Sequence, residues 1–322
     1  MTGPVRKASP LSTRDLSREH TPHGCKRAKN QGDVRSRGRD LRPWPARTFR
    51  THAEQVIPTT IVVPLDGSTL AEHALPVAET LADRLGSDLL LVTTRWDDDP
   101  QSPQAYLERV ADRITKTPTH TAVIPDHGPA DAIGLVARDQ PGRTVCMTSH
   151  GRGGLRWAFL GSVAEEVIHA SEGPVVLVGR RCWESWPPLA NAPLVVCTDG
   201  SAASEEVVPH ACAWAKALGL GLSVARVIHP ADLDGVAHRE VVLDPLLDRI
   251  RADGVSAEPV VLRSSFPAGA LLDLAESLPA SMLAMSTRGT TGYARVTLGS
   301  VTMGVLNSAP CPVLVSPAAA RA

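Results

Sequence analysis

A glycine pattern occurs twice in this chain, in the same order and spacing. The first copy consists of a glycine loop and the apolar run that follows it: Gly151, Gly154, Gly161-Ser162-Val163 and 174–178. The second copy has the same features 138 residues later: Gly289, Gly292, Gly299-Ser300-Val301 and 312–316. Glycine takes left-handed dihedral angles freely and lets a ligand approach the main chain. Glycines at matching positions of two loops therefore indicate one backbone requirement that is met in two repeated units.

Each glycine loop follows an apolar strand and runs into a helix that begins at Ser162 or Ser300. This arrangement directs free amides and the positive end of a helix at one place, which suits phosphate. The other interpretation is that the glycines only make tight strand-to-helix turns, because short motif matches include false positives. One copy alone does not decide between the two.

Length and composition are those of a globular protein with about two domains. The chain has 322 residues, of which 43% are hydrophobic and 21% are charged. No apolar run approaches the roughly 18 residues that a membrane helix needs. The beginning of the sequence lacks the apolar stretch of a secretory signal. We therefore expect a soluble cytoplasmic protein with no membrane partner.

The six cysteines are widely spaced, with no Cys-x-x-Cys pair and no histidine cluster beside them. This spacing argues against a zinc site and against a disulfide scaffold, so we predict no metal ligands. Cys146, Cys197 and Cys311 lie in or beside apolar strand-like stretches, where we expect them to be buried as small hydrophobic residues. A reactive thiol is the alternative.

Residues 1–55 differ from the rest of the chain, with 13 Lys and Arg against 5 Asp and Glu. They are rich in Pro, Gly and Ser and have almost no apolar periodicity, which predicts a disordered basic arm. Such an arm could touch nucleic acid or an anionic surface. It could also be a passive tail, or upstream sequence included by an early start codon, with Val56 as the alternative start. We expect one of the latter two, because a basic run without structural context is weak support for nucleic-acid binding.

Strand-like and helix-like segments alternate along both repeats, which predicts parallel sheets with right-handed crossovers. The predicted fold class is α/β, with two tandem doubly wound parallel-sheet domains. The domains are expected at 56–180 and 193–318, joined by a linker at 181–192. We expect the linker tryptophans, Trp183 and Trp186, to cover a surface between the repeats.

Two helices of the first repeat have specific predicted boundaries. The helix after the first strand is predicted to run from Thr69 to Leu85, with Thr69 and Glu72 as a capping box and Gly86 as its stop. The next helix is predicted near Gln104–Lys116.

In an open parallel sheet, ligands collect at the carboxyl ends of the strands, near the point where strand order reverses. Asp66 and Asp199 follow the first strand of each repeat, and the glycine loop follows the fourth. A carboxylate there could accept hydrogen bonds from an adenine amino group or a ribose hydroxyl. The loop amides and the hydroxyl of Ser162 or Ser300 could hold phosphates. Asp-Gly-Ser by itself is most often only a turn and a helix cap.

These residues resemble the universal stress protein family. The resemblance rests on Asp-Gly-Ser after the first strand, nine residues between Gly151 and Gly161-Ser162, and the final apolar run. The second set, with nine residues between Gly289 and Gly299-Ser300, fits equally well. The resemblance covers about 58–317 and implies an adenine-nucleotide-binding α/β fold, often paired through its last strands.

The resemblance also implies a ligand and a set of site residues. Many family members bind ATP, so the implied ligand is ATP, with Mg²⁺, or a related adenine nucleotide. Position by position, the implied binding residues are Pro64, Asp66, Met147, Thr148, Gly151, Gly161, Ser162 and Val163 in the first repeat. In the second repeat they are Asp199, Met285, Ser286, Gly289, Gly299, Ser300 and Val301. The two repeats are expected to pair with each other, and a homodimer is possible.

The chain departs from the family pattern at the first glycine of each loop, which is Thr148 in one repeat and Ser286 in the other. A side chain there could crowd the nucleotide, or its hydroxyl could replace a backbone contact. Pro64, matched by Cys197 in the second repeat, favours the first repeat as the tighter nucleotide site. His150 and Arg152 beside the first loop favour it too.

Three functions are compatible with these features. The leading one is a stress-response protein that binds ATP as a regulatory ligand. The second is a nucleotide-independent interaction module, and the third is a slow ATP hydrolase or an adenylating enzyme. We find no Walker-type glycine–lysine motif and no nucleophilic-serine elbow. His150 is the only obvious acid–base group beside the first loop, and Arg288 takes its place in the second repeat, so we do not expect an enzyme.

Overall fold

The computed structural model describes residues 57–94, 102–125, 127–150, 160–186, 192–230, 238–278, 281–287 and 298–317. The basic arm at 1–55, Gly151 and Gly289 lie outside the described residues, as does most of the predicted linker beyond Trp186. All the described residues belong to one compact unit, Thr48–Ala322.

In the described part of the first repeat, five strands alternate with helices. The strands are β1 (Thr60–Pro64), β2 (Asp88–Thr94), β3 (Thr119–Ile124), β4 (Arg143–Thr148) and β5 (Val175–Val178). The helices are α1 (Thr69–Glu72), α2 (Leu75–Leu85), α3 (Pro103–Ala111), α4 (Pro129–Asp139) and α5 (Ser162–Ala170). A short helix, α6 (Arg180–Ser185), leads out of the repeat.

The described part of the second repeat has the same order. Its strands are β6 (Leu194–Cys197), β7 (Leu222–Ile228), β8 (Ala257–Arg263), β9 (Met282–Ser286) and β10 (Val313–Ser316). A 3-10 helix (Ser204–Val207) precedes α7 (Val208–Leu218), and α8 (His238–Ala252), α9 (Pro267–Ser277) and α10 (Ser300–Ser308) follow.

The ten described strands form one sheet in the order β3-β2-β1-β4-β5-β10-β9-β6-β7-β8. Within each repeat the neighbouring strands are parallel, as the strand–helix alternation predicted. Strand order reverses at β1/β4 in the first repeat and at β6/β9 in the second. The two predicted sheets are therefore halves of one continuous, mostly parallel sheet.

The halves join through one antiparallel pair, β5 with β10. Leu314 pairs with Val176, which is the residue 138 positions earlier and hence its equivalent in the first repeat. On either side, Val313 pairs with Leu177 and Val315 pairs with Val175. The register is thus the one that a two-fold axis through Val176 and Leu314 would produce. A homodimer would have to use surfaces other than these two strands.

Two hydrophobic clusters cover the two faces of the sheet. Along β1, Ile61 and Val63 belong to one cluster and Val62 to the other, as alternation along a strand requires. We call them the first and the second face. The first face includes the fully buried Trp214 of α7, and the second includes Val167 of α5.

The predicted helix Thr69–Leu85 is wrong as one element, because it breaks after Glu72. Pro76 has no N–H to donate to the Glu72 carbonyl, so the helical ladder cannot continue through this point. The predicted capping box is also wrong in its cap. Ser68 is the N-cap, with its Oγ accepting from the amide of Ala71 at 3.2 Å. Gly86 ends α2 with φ of 67°, as predicted.

The helix predicted near Gln104–Lys116 is shorter than expected. It ends at Ala111, and Arg113 and Ile114 then make tighter turns onto the carbonyls of Val110 and Ala111. These turns bring Ile114 into the core of the first face. Burial of one apolar side chain has here outweighed helix propensity.

The segment after β5 begins as helix α6 rather than as a continuous linker. Trp186 at its end packs against both hydrophobic clusters and donates from Nε1 to the carbonyl of Ser281 at 3.0 Å. It therefore ties the end of the first repeat to the second. The side chain of Trp183 lies outside the described residues.

The five cysteines in the described ranges are free and buried, which confirms the expected burial of Cys146, Cys197 and Cys311. Burial raises the pKa of Cys197 and of Cys311 to about 12. These thiols therefore stay protonated at neutral pH and behave as packing groups.

Candidate functional site

The strands that carry the predicted site residues lie side by side and in parallel. In the first repeat, β1 and β4 pair as far as Val62 and Val145. Beyond this point β1 continues to Pro64, with Asp66 two residues after its end, and β4 continues to Met147 and Thr148. The carboxyl ends of the two strands therefore open into a crevice at the reversal of strand order.

The second repeat has the same crevice. There β6 and β9 pair as far as Val196 and Ala284. Asp199 follows β6, and Met285 and Ser286 end β9. Both aspartates are half-buried, so their carboxylates lie where the crevice meets the surface.

Each aspartate is held in a tight turn. Oδ1 of Asp66 accepts from the amide of Ser68 at 2.9 Å and from its hydroxyl at 2.6 Å. Oδ1 of Asp199 accepts from the amide of Ser201 at 2.9 Å. The residue between has a positive φ, 80° at Gly67 and 83° at Gly200, which explains glycine in both repeats. The turn fixes one carboxylate oxygen in each repeat.

On the other side of each crevice, a helix begins at a glycine. The Gly161 amide donates to the Ser149 carbonyl at 2.9 Å, and the Gly299 amide donates to the Thr287 carbonyl at 3.0 Å. Neither glycine has a side chain that could cap its helix, so no N-cap side chain occupies the amides of the first turns. Those turns contain the predicted residues Ser162, Val163, Ser300 and Val301, of which both serines are exposed.

The two hydroxyl residues at the replaced glycine positions behave differently. Thr148 Oγ1 donates to the His150 carbonyl at 2.8 Å, so its hydrogen bond is made within the end of the strand. Ser286 is only 4% exposed, and its Oγ has no hydrogen-bond partner. Its carbonyl instead accepts from Thr302 Oγ1 at 3.1 Å, where the first repeat has Ala164. The methionines beside them, Met147 and Met285, are buried in the core of the second face.

His150 stands at the end of β4, directly before the first glycine loop. Its Nδ1 lies 2.9 Å from the hydroxyl of the fully buried Ser149, and its Nε2 is buried without a partner. The serine fixes the ring, so that Nε2 is the nitrogen left for another group.

One duplicated contact beside the site was missed by sequence reasoning. Glu72 in α1 accepts from the hydroxyl of Tyr106 at 3.0 Å and pairs with Arg113 at 2.6 Å. In the second repeat, Glu205 pairs with Arg249. Burial, together with the carboxylate of Glu72, raises the pKa of Tyr106 well above its usual range. Asp66 and Glu72 recur as Asp199 and Glu205 at one common offset, and that signal could have pointed to the two glutamates.

The family model described as "Universal stress protein family" matches this chain twice, at residues 58–179 and 191–317. The chain belongs to the universal stress protein family. Both matched segments contain an aspartate turn and a glycine-capped helix, so each family unit carries one complete crevice.

Several universal stress proteins of Mycobacterium are similar to this chain. One from Mycobacterium tuberculosis is 31% identical over 134 residues, which cover 36% of this chain and 44% of that relative. Another from the same organism is 28% identical over 230 residues, covering 66% of this chain and 76% of the relative. The chain thus spans less than half the length of the first of these relatives.

Among solved structures, a universal stress protein from Archaeoglobus fulgidus has the same fold. It is 18% identical, the match covers 80% of this chain and 97% of that one, and the TM-score is 0.60.

In the described ranges, no helix combines the length and the apolar character needed to cross a membrane.

Proposed function

We propose that this chain binds an adenine nucleotide, ATP or a related one, as a regulatory ligand in a cytoplasmic stress response. The observation that carries the proposal is the duplicated crevice, with a fixed carboxylate on one strand end and a glycine-capped helix facing it. A nucleotide needs both kinds of group, acceptors for its ribose or amino hydrogens and donors for its phosphates. Both repeats supply them at the same strand ends.

Each predicted residue has a role in this proposal. Asp66 and Asp199 accept from the ribose or the base through their carboxylates. The first-turn amides and the hydroxyls of Ser162 and Ser300 donate to phosphate. Gly151 and Gly289, with the loop they begin, complete the phosphate cradle.

Mg²⁺ fits this site only as a partner of the phosphates. The described residues contain no group of three or more His, Cys, Asp or Glu side chains that could hold a metal ion. Mg²⁺ prefers a few carboxylates together with phosphate oxygens and water. Bound ATP would therefore bring its own ion.

We propose binding without turnover because the two crevices share no acid–base group. His150 stands beside the first loop and Arg288 takes its position in the second. A general acid or base common to both repeats would have to come from the shared residues, and the shared aspartates are already held in turns.

The test is calorimetric titration of ATP and AMP into the full chain and into Asp66→Ala, Asp199→Ala and the double variant. Two sites are expected in the wild type, one in each single variant and none in the double variant. Asp83→Ala removes an exposed carboxylate from α2 and serves as the control. Undiminished binding in the double variant would contradict the proposal. Analysis of nucleotide released from the purified protein adds a second readout, because ADP in place of ATP would indicate hydrolysis.

A nucleotide-independent interaction module is the second candidate. It is favoured by Thr148, whose side chain and hydrogen bond occupy a position where the family pattern has glycine. In that case neither ATP nor AMP binds the wild type, and replacing Thr148 and Ser286 by glycine creates binding that the natural chain lacks.

A further inference from the structure

Three polar residues line up across the strand ends of the second repeat. The β6–β7 ladder pairs Cys197 with Ala225 and continues with the Thr198 amide donating to the Ala225 carbonyl at 2.9 Å. The next row therefore places Thr198 beside Arg226. Since Val196 pairs with Ala284 on the other side, Ser286 belongs to the same row. Alternation places all three on the first face of the sheet, opposite the face that α10 covers.

Two atoms of this row are buried and have no partner in the structure, Nη1 of Arg226 and Oγ of Ser286. The hydroxyl of Thr198 between them is already used, because it accepts from the Gly200 amide at 2.9 Å and lies 2.9 Å from Ser204 Oγ. Leaving a buried donor unpaired costs free energy, and the cost is larger for a charged group. The row therefore contains two buried donors, and an added acceptor would stabilise both.

The position of Arg226 is set by the turn that holds Asp199. Its guanidinium lies so close to Gly200 that a Cβ on that glycine would stand 2.6 Å from Nη1. Gly200 is itself exposed, so the guanidinium lies just beneath the surface of this edge.

The first repeat lacks this arrangement. Its equivalent row consists of Thr93, Leu65 and Thr148, with no charge. The Thr93 hydroxyl is buried without a partner, but Thr148 already donates to the His150 carbonyl. The positive charge and the second open donor are thus particular to the second repeat.

We propose that the second repeat binds a phosphate group at this row, through the guanidinium of Arg226 and the hydroxyl of Ser286. The phosphate oxygens accept from the two atoms, and the charge-assisted bond to a guanidinium is the stronger kind. The phosphate comes either from free inorganic phosphate or from a nucleotide at the same strand ends, whose phosphate then lies at this row instead of at the first turn of α10. The nucleotide source, unlike the free anion, rests on the function proposed above.

The experiment titrates inorganic phosphate into the full chain, at constant ionic strength adjusted with NaCl, and follows the melting temperature and the heat of binding. Arg226→Thr installs the residue that the first repeat carries, and Ser286→Ala removes the second donor. Arg263→Thr, on the neighbouring strand β8, removes an exposed guanidinium and serves as the control. The wild type is expected to melt at saturably higher temperature with phosphate.

Arg226→Thr should weaken phosphate binding about tenfold or more, and Ser286→Ala about fivefold, from the usual strength of charged and neutral hydrogen bonds. The Arg263 variant should bind like the wild type. If the Arg226 variant does not fold, the Ser286 variant decides the question. Two results together would overturn the proposal. Phosphate and NaCl would change the melting temperature of the wild type equally, and the Arg226 and Ser286 variants would bind AMP as tightly as the wild type does.

AMP and adenosine distinguish the two sources. If the nucleotide supplies the phosphate, AMP competes with inorganic phosphate, and Arg226→Thr weakens AMP binding but leaves adenosine binding unchanged. If the anion is free, AMP and inorganic phosphate bind independently. A chain that binds phosphate through Arg226 and binds no nucleotide would overturn the proposed function and support the phosphate site.

Discussion

The guanidinium of Arg84 donates a hydrogen bond of 2.9 Å to the carbonyl oxygen of Leu218. Arg84 lies in the last turn of α2, and Leu218 ends α7, the equivalent helix of the second repeat. The last carbonyls of a helix have no partner within it and carry its negative dipole end. One side chain of the first repeat therefore caps a helix of the second.

We expect Arg84→Met, which keeps the aliphatic stem and removes the donor, to lower the free energy of unfolding by about 1 kcal/mol. The measurement is urea denaturation of the full chain. Lys116→Met removes an exposed charge that caps no helix and should stay near the wild-type value. An Arg84 variant as stable as the Lys116 variant would show that the hydrogen bond does not join the repeats.

The seam between β5 and β10 should be far more sensitive. Leu314 is fully buried and pairs with Val176 across the two-fold register. Leu314→Ala is expected to cost about 2–5 kcal/mol through lost burial and the cavity left behind. Both repeats should still unfold in one transition, because they share one sheet. Leu135→Ala is the control, because it makes the same change at a side chain that is 44% exposed, and it should shift the free energy of unfolding by less than about 0.5 kcal/mol. Two separate unfolding transitions in the wild type would show that the seam does not join the repeats into one unit.

The cap of α1 supports the aspartate turn. Ser68→Ala removes the acceptor of the Ala71 amide and a hydroxyl that donates to Asp66, and should cost about 1 kcal/mol. Ser68→Thr keeps the hydroxyl and should cost less. In the second repeat, Ser201→Ala removes the acceptor of the Ser204 amide, 3.1 Å away, and should behave like Ser68→Ala. Thermal melts of the three variants give the comparison, and identical melts of the Ala and Thr variants at Ser68 would argue against the cap.

The pH dependence of stability should reveal His210. Burial lowers the pKa of this side chain from its ordinary value of 6.5. Below that pH the unfolded chain takes up a proton that the folded chain resists, so the free energy of unfolding falls as pH falls, by at most about 1.4 kcal/mol per pH unit. His210→Gln should flatten the profile between pH 7.5 and 5.5. The exposed His127→Gln is the control, and equal slopes in the two variants would assign the effect elsewhere.

The features that were readable from the sequence are those with a local cause. Gly86 ends its helix in a left-handed conformation that only glycine adopts easily, and this end was predicted to the residue. The N-cap was misplaced by one residue because Ser68 and Thr69 both carry hydroxyls. The geometry of the Asp66 turn, rather than residue type, decides which hydroxyl accepts the amide.

Other features depend on residues that are distant in sequence. Glu72 and Arg113 are 41 positions apart, so no local pattern connects them. In the sequence, Arg226 looks like an ordinary strand residue. Only the register of the sheet places it beside Thr198 and close to Gly200. The pairing of the last strands came only from the family resemblance, because Val176 and Leu314 are apolar residues of a kind found throughout both cores.

In a homodimer built on such a two-fold seam, every substitution appears twice, once on each side of the axis. Here Val176 faces Leu314, two residues encoded separately, and each can change without the other. The same independence extends to the crevices, where Thr93 and Arg226 occupy equivalent strands of one molecule. Fusion of the repeats fixes their ratio at one to one and frees each half to specialise while the other keeps its original chemistry.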